Sequence, residues 1–173
     1  MIEKIMKAVK SGNKKRGRNI TVGAVVGMLL SCTAVMGANE YLWIKNDGGI
    51  KFSTDNSTPT STENPYGENT WNGTDYVNNI ILNSTSSGYG LKLSGDLSGI
   101  NFTNNGLIAV TGNNLTCGIS NEGTIGDITN TGLITGTSAG NSYGNNGNGI
   151  SNNGTMGNIT NRGLIIGRNT GSQ

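Results

Sequence analysis

The chain has no histidine. That absence removes a Ser-His-Asp triad and the usual zinc sites, both of which rely on imidazole. Charge is scarce too, at 13% of residues, and aromatics make up 5%. Disordered chains are typically rich in charge, proline or glutamine. Low charge with only two prolines, Pro59 and Pro65, argues against that class. The two cysteines, Cys32 and Cys117, lie in different parts of the chain. Removal of the first part would leave one thiol and no internal disulfide.

Glycine is plentiful instead: 29 of 173 residues, against a usual share of about 7%. No Gly-X-Y triplet runs through the chain, which excludes collagen. Small, polar, turn-prone residues with regularly placed Ile and Leu predict an all-β chain of short strands and many turns. Net charge is +2 but unevenly spread. Residues 1–38 carry seven Lys/Arg against one Glu, a balance of +6, and residues 39–173 carry five against nine, a balance of −4. A mildly acidic body without a basic stripe argues against a nucleic-acid partner.

The first nineteen residues are polar and basic, and Ile20 to Ala38 reads ITVGAVVGMLLSCTAVMGA without a charge. A cationic start, an apolar stretch and a small-residue end form an export signal. The positive end stays on the cytoplasmic side while the apolar segment enters the membrane. Residues 1–38 are therefore read as a helical signal peptide handled by the Sec translocon, with cleavage near Ala38. Two rival readings compete with it. Nineteen uncharged residues could persist as an anchor, although three glycines and Ser31-Cys32-Thr33 weaken it. Leu29-Leu30-Ser31-Cys32 resembles a lipobox that would lipidate Cys32, but Thr33 to Met36 keep the segment apolar beyond it.

Residues 39–87 read as an N-terminal cap and loop segment. Tyr41 to Ile44 and Ile50 to Ser53 are strand candidates around the turn signal Asn46-Asp47-Gly48-Gly49, a hairpin suited to covering the end of a stack. Thr54 to Thr74, with both prolines, reads as loop, and Tyr76 to Leu82 as one strand.

Residues 88–173 carry repeats. GISNEGTIGDITNTGLITG, from Gly118 to Gly136, returns thirty-one residues later, from Gly149 to Gly167, as GISNNGTMGNITNRGLIIG; fourteen of nineteen positions are identical. A partial earlier copy is Asn104 to Ile108. Within each full copy Asn-x-Gly recurs after nine residues, at Asn121 and Asn130, then at Asn152 and Asn161. A period in this range marks solenoids and related arrays. Ile119, Ile125, Ile128 and Ile134 fall 6, 3 and 6 apart, and Ile150, Met156, Ile159 and Ile165 repeat that spacing. The spacing does not fit a 3.6-residue helical period. It fits short strands broken by tight turns, each offering an apolar side chain to a shared interior. Asn-x-Gly would supply the corners through positive φ. Stacked copies would align Asn with Asn and Ile with Ile. The expectation is an all-β, right-handed parallel β-helix start, preceded by the signal peptide and capping hairpin. One repeat buries too little to fold alone, and three or more are usual. Two clear copies and a weak third suggest a truncated array.

Residues that could carry chemistry are few. Cys117 beside Gly118 reads as a small buried residue. Gly144 to Gly149 (GNNGNG) lacks the Lys-Ser/Thr of a P-loop and the Asp of the calcium-binding nonapeptide, so it reads as loop. Asp96, Glu122 and Asp127 are the acids of the repeat region. Hydrolysis of a glycan wants a facing pair, yet Asp127 aligns with Asn158 and Glu122 with Asn153. They read as solvated turn residues. No catalytic, cofactor-binding or metal-binding residue is assigned. The Asn-x-Ser/Thr sequons at Asn72 and Asn114 follow from composition.

The leader ending LLSCTAVMGA, the following EYLWIKNDGGIKFSTDNSTPTST and the GISNxGTIGxITNxGLIxG repeats together resemble the N-terminal region of fusobacterial autotransporter (type V secretion) proteins, over nearly the whole chain. The resemblance implies Sec export, a β-helical passenger at the cell surface or outside the cell, and an adhesin-like role toward host or bacterial surface components. It also implies an outer-membrane barrel, whose alternating ten-residue strands with aromatic girdles are not in this sequence. The barrel would then belong to a longer chain, and without it the periplasm is the expected destination. Two alternatives stay open: a fragment of a carbohydrate-active β-helix enzyme, and a nonfunctional truncated remnant.

Overall fold

The computed structural model describes residues 40–171, apart from 56, 86–87 and 141–145. The leader, with Ala38 and Cys32, lies outside the described residues. Among the described residues there is no helix; the chain is all-β and winds into a β-solenoid of about three turns.

The described chain opens with β1 (Leu42–Asn46) and β2 (Ile50–Ser53), an antiparallel pair. Gly48 and Gly49 turn the chain between them at φ 69° and 147°, values that cost a side chain dearly. Then come β3 (Thr70–Trp71), β4 (Asp75–Asn78) and β5 (Ile81–Ser84). The first full coil is β6 (Gly88–Leu97), β7 (Asn101–Asn104) and β8 (Leu107–Gly112). The second is β9 (Thr116–Asn121), β10 (Thr124–Ile125), β11 (Ile128–Asn130) and β12 (Leu133–Ser138). The third repeats it as β13 (Gly147–Asn152), β14 (Thr155–Met156), β15 (Ile159–Asn161) and β16 (Leu164–Asn169).

Three parallel sheets result. The first has the order β13-β9-β6-β1-β2, with β10 joining β14 to the end of β6; the second β15-β11-β7-β4-β3; the third β16-β12-β8-β5. Between strands the pairing is parallel except at β1–β2 and β3–β4. Those two antiparallel strands end the first and second sheets. The stack therefore begins before residue 88: β4 and β5 already pair in register with β7 and β8.

Inside, the side chains form columns. Tyr76, Phe102, Ile128 and Ile159 are in register, as are Leu82, Ile108, Ile134 and Ile165, and Leu42, Leu91, Ile119 and Ile150. The expected isoleucines of the second coil, Ile119, Ile125, Ile128 and Ile134, are all buried. The isoleucine columns turn aromatic near β3. Tyr76 stacks on Phe102 at 5.9 Å, and Phe52 and Trp71 pack beside Tyr76.

Three sequence expectations are corrected. Tyr76 to Leu82 is not one strand; it breaks at Asn79-Ile80 so that Tyr76 and Leu82 enter two different sheets. Thr54 to Thr74 is not wholly loop; it contains β3 and a bridge from Phe52 to Ser61. The corner glycines do not use positive φ, which among the described residues is confined to Gly48, Gly49, Gly73, Gly88 and Gly95. Their reason is clearance. A Cβ on Gly132 would lie 1.9 Å from the carbonyl oxygen of Gly106, and one on Gly163 would lie 2.0 Å from that of Gly132. At the other corner a Cβ on Gly154 would lie 1.9 Å from the Gly123 oxygen. A second column, Gly90, Gly118 and Gly149, leaves room for Cγ2 of Ile108, Ile134 and Ile165 at 2.5–2.6 Å.

Gly132→Ala is therefore expected to destabilise the chain by about 2 kcal/mol or more through overpacking. Gly99→Ala, where a Cβ meets nothing within 4 Å, should stay within about 0.5 kcal/mol. Urea unfolding of the two variants measures the contrast; equal effects would contradict the clearance account.

Candidate functional site

Corner asparagines form an internal ladder. Asn78 Nδ2 donates to Asn104 Oδ1 at 2.8 Å, Asn104 Nδ2 to Asn130 Oδ1 at 2.9 Å, and Asn130 Nδ2 to Asn161 Oδ1 at 2.9 Å. Each amide also serves nearby carbonyls; that of Asn130 reaches Gly132 O and Leu164 O. A shorter ladder joins Asn121 Nδ2 to Asn152 Oδ1 at 2.7 Å. Asn78, Asn104, Asn121 and Asn130 are fully buried, so these bonds satisfy groups that would otherwise be costly. Every link points the same way: the donor lies in one coil and the acceptor in the next. At the start of the long ladder, Asn78 Oδ1 is buried without a partner.

The side chains that alternate outward form columns of a different kind. On the second sheet Asp75, Asn101, Asp127 and Asn158 run up the surface. Asn101 Nδ2 donates to Asp75 Oδ1 at 3.0 Å, the Asp127 amide to Asn101 Oδ1 at 3.0 Å, and the Asn158 amide to Asp127 Oδ1 at 2.8 Å. Beside them Val77, Thr103, Thr129 and Thr160 are in register. A third column starts with Asn79, Asn105 and Thr131, also linked by side-chain hydrogen bonds. Apart from Val77 in the first of these strands and Arg162 in the last coil, this face is short-chained and polar. On the third sheet the outward column is apolar: Ile81, Leu107, Leu133 and Leu164. In sequence these leucines are indistinguishable from the inward isoleucines beside them; strand alternation alone turns them outward.

On the first sheet, Lys92 pairs with Glu122 at 2.9 Å, and its ammonium lies 4.5 Å from the Trp43 ring centre and 5.2 Å from that of Tyr89. Trp43 Nε1 donates to Ser94 Oγ.

The acids considered for hydrolysis are each bonded locally. Asp96 accepts the amide of Ser98, whose hydrogen bonds hold its carboxyl below the usual range. Glu122 pairs with Lys92 and Asp127 with Asn158. Asp96 lies in β6, Glu122 at the corner after β9 and Asp127 before β11. Cys117 is buried, as expected, and burial pushes its thiol up, away from the thiolate a nucleophile needs. No group of three potential ligands fit to hold a metal ion occurs among the described residues. No family model matches the chain, and neither a curated protein nor a solved structure matches it.

Asn130→Ala breaks the ladder links to Asn104 and Asn161 and removes the amide that serves Gly132 O and Leu164 O, and should cost about 1–3 kcal/mol, whereas Asn158→Ala on the surface should cost under about 0.5 kcal/mol; chemical denaturation compares them. Burial pushes Tyr76 up to about 12, and Tyr41 also up to about 12. A raised folded-state pKa means the stabilisation is complete below the ordinary tyrosine value of about 10. It is lost as pH rises from there through about 12. Tyr76→Phe should flatten that alkaline decline; an unchanged slope in alkaline unfolding would contradict it.

Proposed function

We propose that the chain is an exported passenger whose solenoid presents a regular polar face to host or bacterial surface components, in an adhesin-like and non-catalytic role. The observation that carries this reading is the outer face of the second sheet. Its Asp/Asn and Asn/Thr columns are linked from coil to coil by hydrogen bonds within the face, and Thr103, Thr129 and Thr160 run in register between them. Such a surface favours many weak, repeated contacts over one enclosed substrate. The leader supports the export half: residues 1–38 carry +6 and an uncharged run that ends in Gly37-Ala38, which suits Sec handling and cleavage near Ala38.

In this reading β1–β2 and β3 form the N-terminal cap. Their antiparallel strands blunt the sheet edges at that end, an arrangement that discourages further pairing. The coils wind right-handed, the hand of nearly all parallel crossovers. In keeping with the likeness to fusobacterial autotransporter sequences, this reading expects a barrel in a longer chain and the solenoid at the cell surface or outside the cell. A glycan-cleaving enzyme is the weaker alternative, because Asp96, Glu122 and Asp127 are held by separate partners.

Expression of the full chain in a bacterium should yield a mature form beginning near Asn39, without lipid on Cys32, and outside the inner membrane. N-terminal sequencing, mass spectrometry and fractionation check this. Retention of residues 1–38 in the cytoplasm would contradict export, and glycan cleavage by the purified chain would contradict the non-catalytic role.

A further inference from the structure

The two ends of the solenoid are chemically unlike. At the β1 end, the antiparallel strands β2 and β3 terminate two of the three sheets, and the acceptor end of the long asparagine ladder, Asn78 Oδ1, is buried. At the β16 end, no described strand follows β13, β15 and β16 in their sheets. Among the described residues nothing covers the interior there. Ile128 is 0% exposed, and Ile159, in register above it, is 49% exposed. Ile150, Met156 and Ile165, whose counterparts one coil earlier are buried, are partly exposed. Asn152 and Asn161 accept from the coil below and are themselves exposed. Their Nδ2 groups thus face outward as donors, at the place where Asn121 and Asn130 donate to a further coil.

We propose that this end is a docking surface for one more coil of the same repeat, stacked parallel and carrying Asn-x-Gly twice, nine residues apart. Three features select that occupant. First, the hydrogen-bond polarity of the ladders is fixed. Every link runs from Nδ2 in one coil to Oδ1 in the next, so the open end presents donors and needs acceptors. A second copy joined tail to tail would bring Nδ2 against Nδ2. A second copy joined head to tail would present β2 and β3, whose strands are antiparallel to the stack, and its own buried Asn78.

Second, the clearance at the corners demands glycine. Gly154 and Gly163 fit against Gly123 and Gly132 only because they lack a Cβ. A coil laid on Gly154 and Gly163 with the same rise meets the same limit. Third, the backbone repeats the pattern. The amides of Asn153 and Gly163 donate to Asn121 O and Asn130 O of the coil below. The corresponding oxygens of Asn152 and Asn161 await the same donors. An apolar partner of another kind would cover Ile159 but strand the two amides and these carbonyls. The proposal rests on the solenoid and its ladders, not on export or adhesion.

The test joins a second length of residues 139–169 directly after Asn169 of the full chain and follows side-chain amide hydrogen exchange by NMR. In the unextended chain, the Nδ2 protons of Asn152 and Asn161 should exchange freely, and sedimentation should give a monomer. In the extended chain those protons should slow by about tenfold or more, toward the protection of Asn130. A parallel extension whose two ladder asparagines are replaced by lysine, which offers no acceptor, should not protect them. Three results would each overturn the proposal: unchanged exchange after extension, equal protection by the lysine-bearing extension, or a dimer of the unextended chain in which both amides are already protected. The last would assign the end to a second copy.

Discussion

The close approach of successive coils at their corners governs the whole structure. Gly132 and Gly163 let backbone pass within van der Waals reach of the carbonyls below, where any Cβ would collide. Only at that separation can Asn104, Asn130 and Asn161 link Nδ2 to Oδ1 at 2.9 Å. The same rise sets the strands of all three sheets in register. Asparagine and glycine at the corner are therefore one device: the glycine permits the approach, and the buried amide satisfies the polar groups the approach encloses.

Much of this was legible in the second and third coils. The 6-3-6 spacing of Ile119, Ile125, Ile128 and Ile134 named the inward residues, and the aligned Asn-x-Gly pairs named the ladders. The earlier coils were harder to read for physical reasons. Tyr76 and Phe102 occupy the column of Ile128 and Ile159, so the core continues while residue identity changes. Spacing also drifts: the ladder links recur at 26 residues lower in the stack and at 31 in the last step. The connection from β12 to β13, residues 139–146, is longer than that from β8 to β9, residues 113–115. A fixed-period search finds only the longer unit. Clearance was invisible, because a glycine string looks the same whether it serves φ or space. The outward leucines were obscured for a similar reason: Leu133 and Ile134 are chemically alike, and only strand alternation separates them.

The two full copies show where the solenoid tolerates change. They differ at five positions. Glu122/Asn153, Asp127/Asn158, Thr131/Arg162 and Thr135/Ile166 lie on corners or outward faces, and only Ile125/Met156 is inward, where one apolar residue replaces another. The interior and its glycines are constrained by packing, while the outside is free to carry charge, amide, hydroxyl or methyl groups. Surface chemistry can therefore vary without disturbing the stack that displays it.

The parallel, in-register stack is tested most directly by backbone NMR contacts among Thr103, Thr129 and Thr160, which face outward on β7, β11 and β15. Direct contacts between Thr103 and Thr129, and between Thr129 and Thr160, with none between Thr103 and Thr160, are the predicted result. A direct Thr103–Thr160 contact, or antiparallel contacts within this trio, would contradict the account.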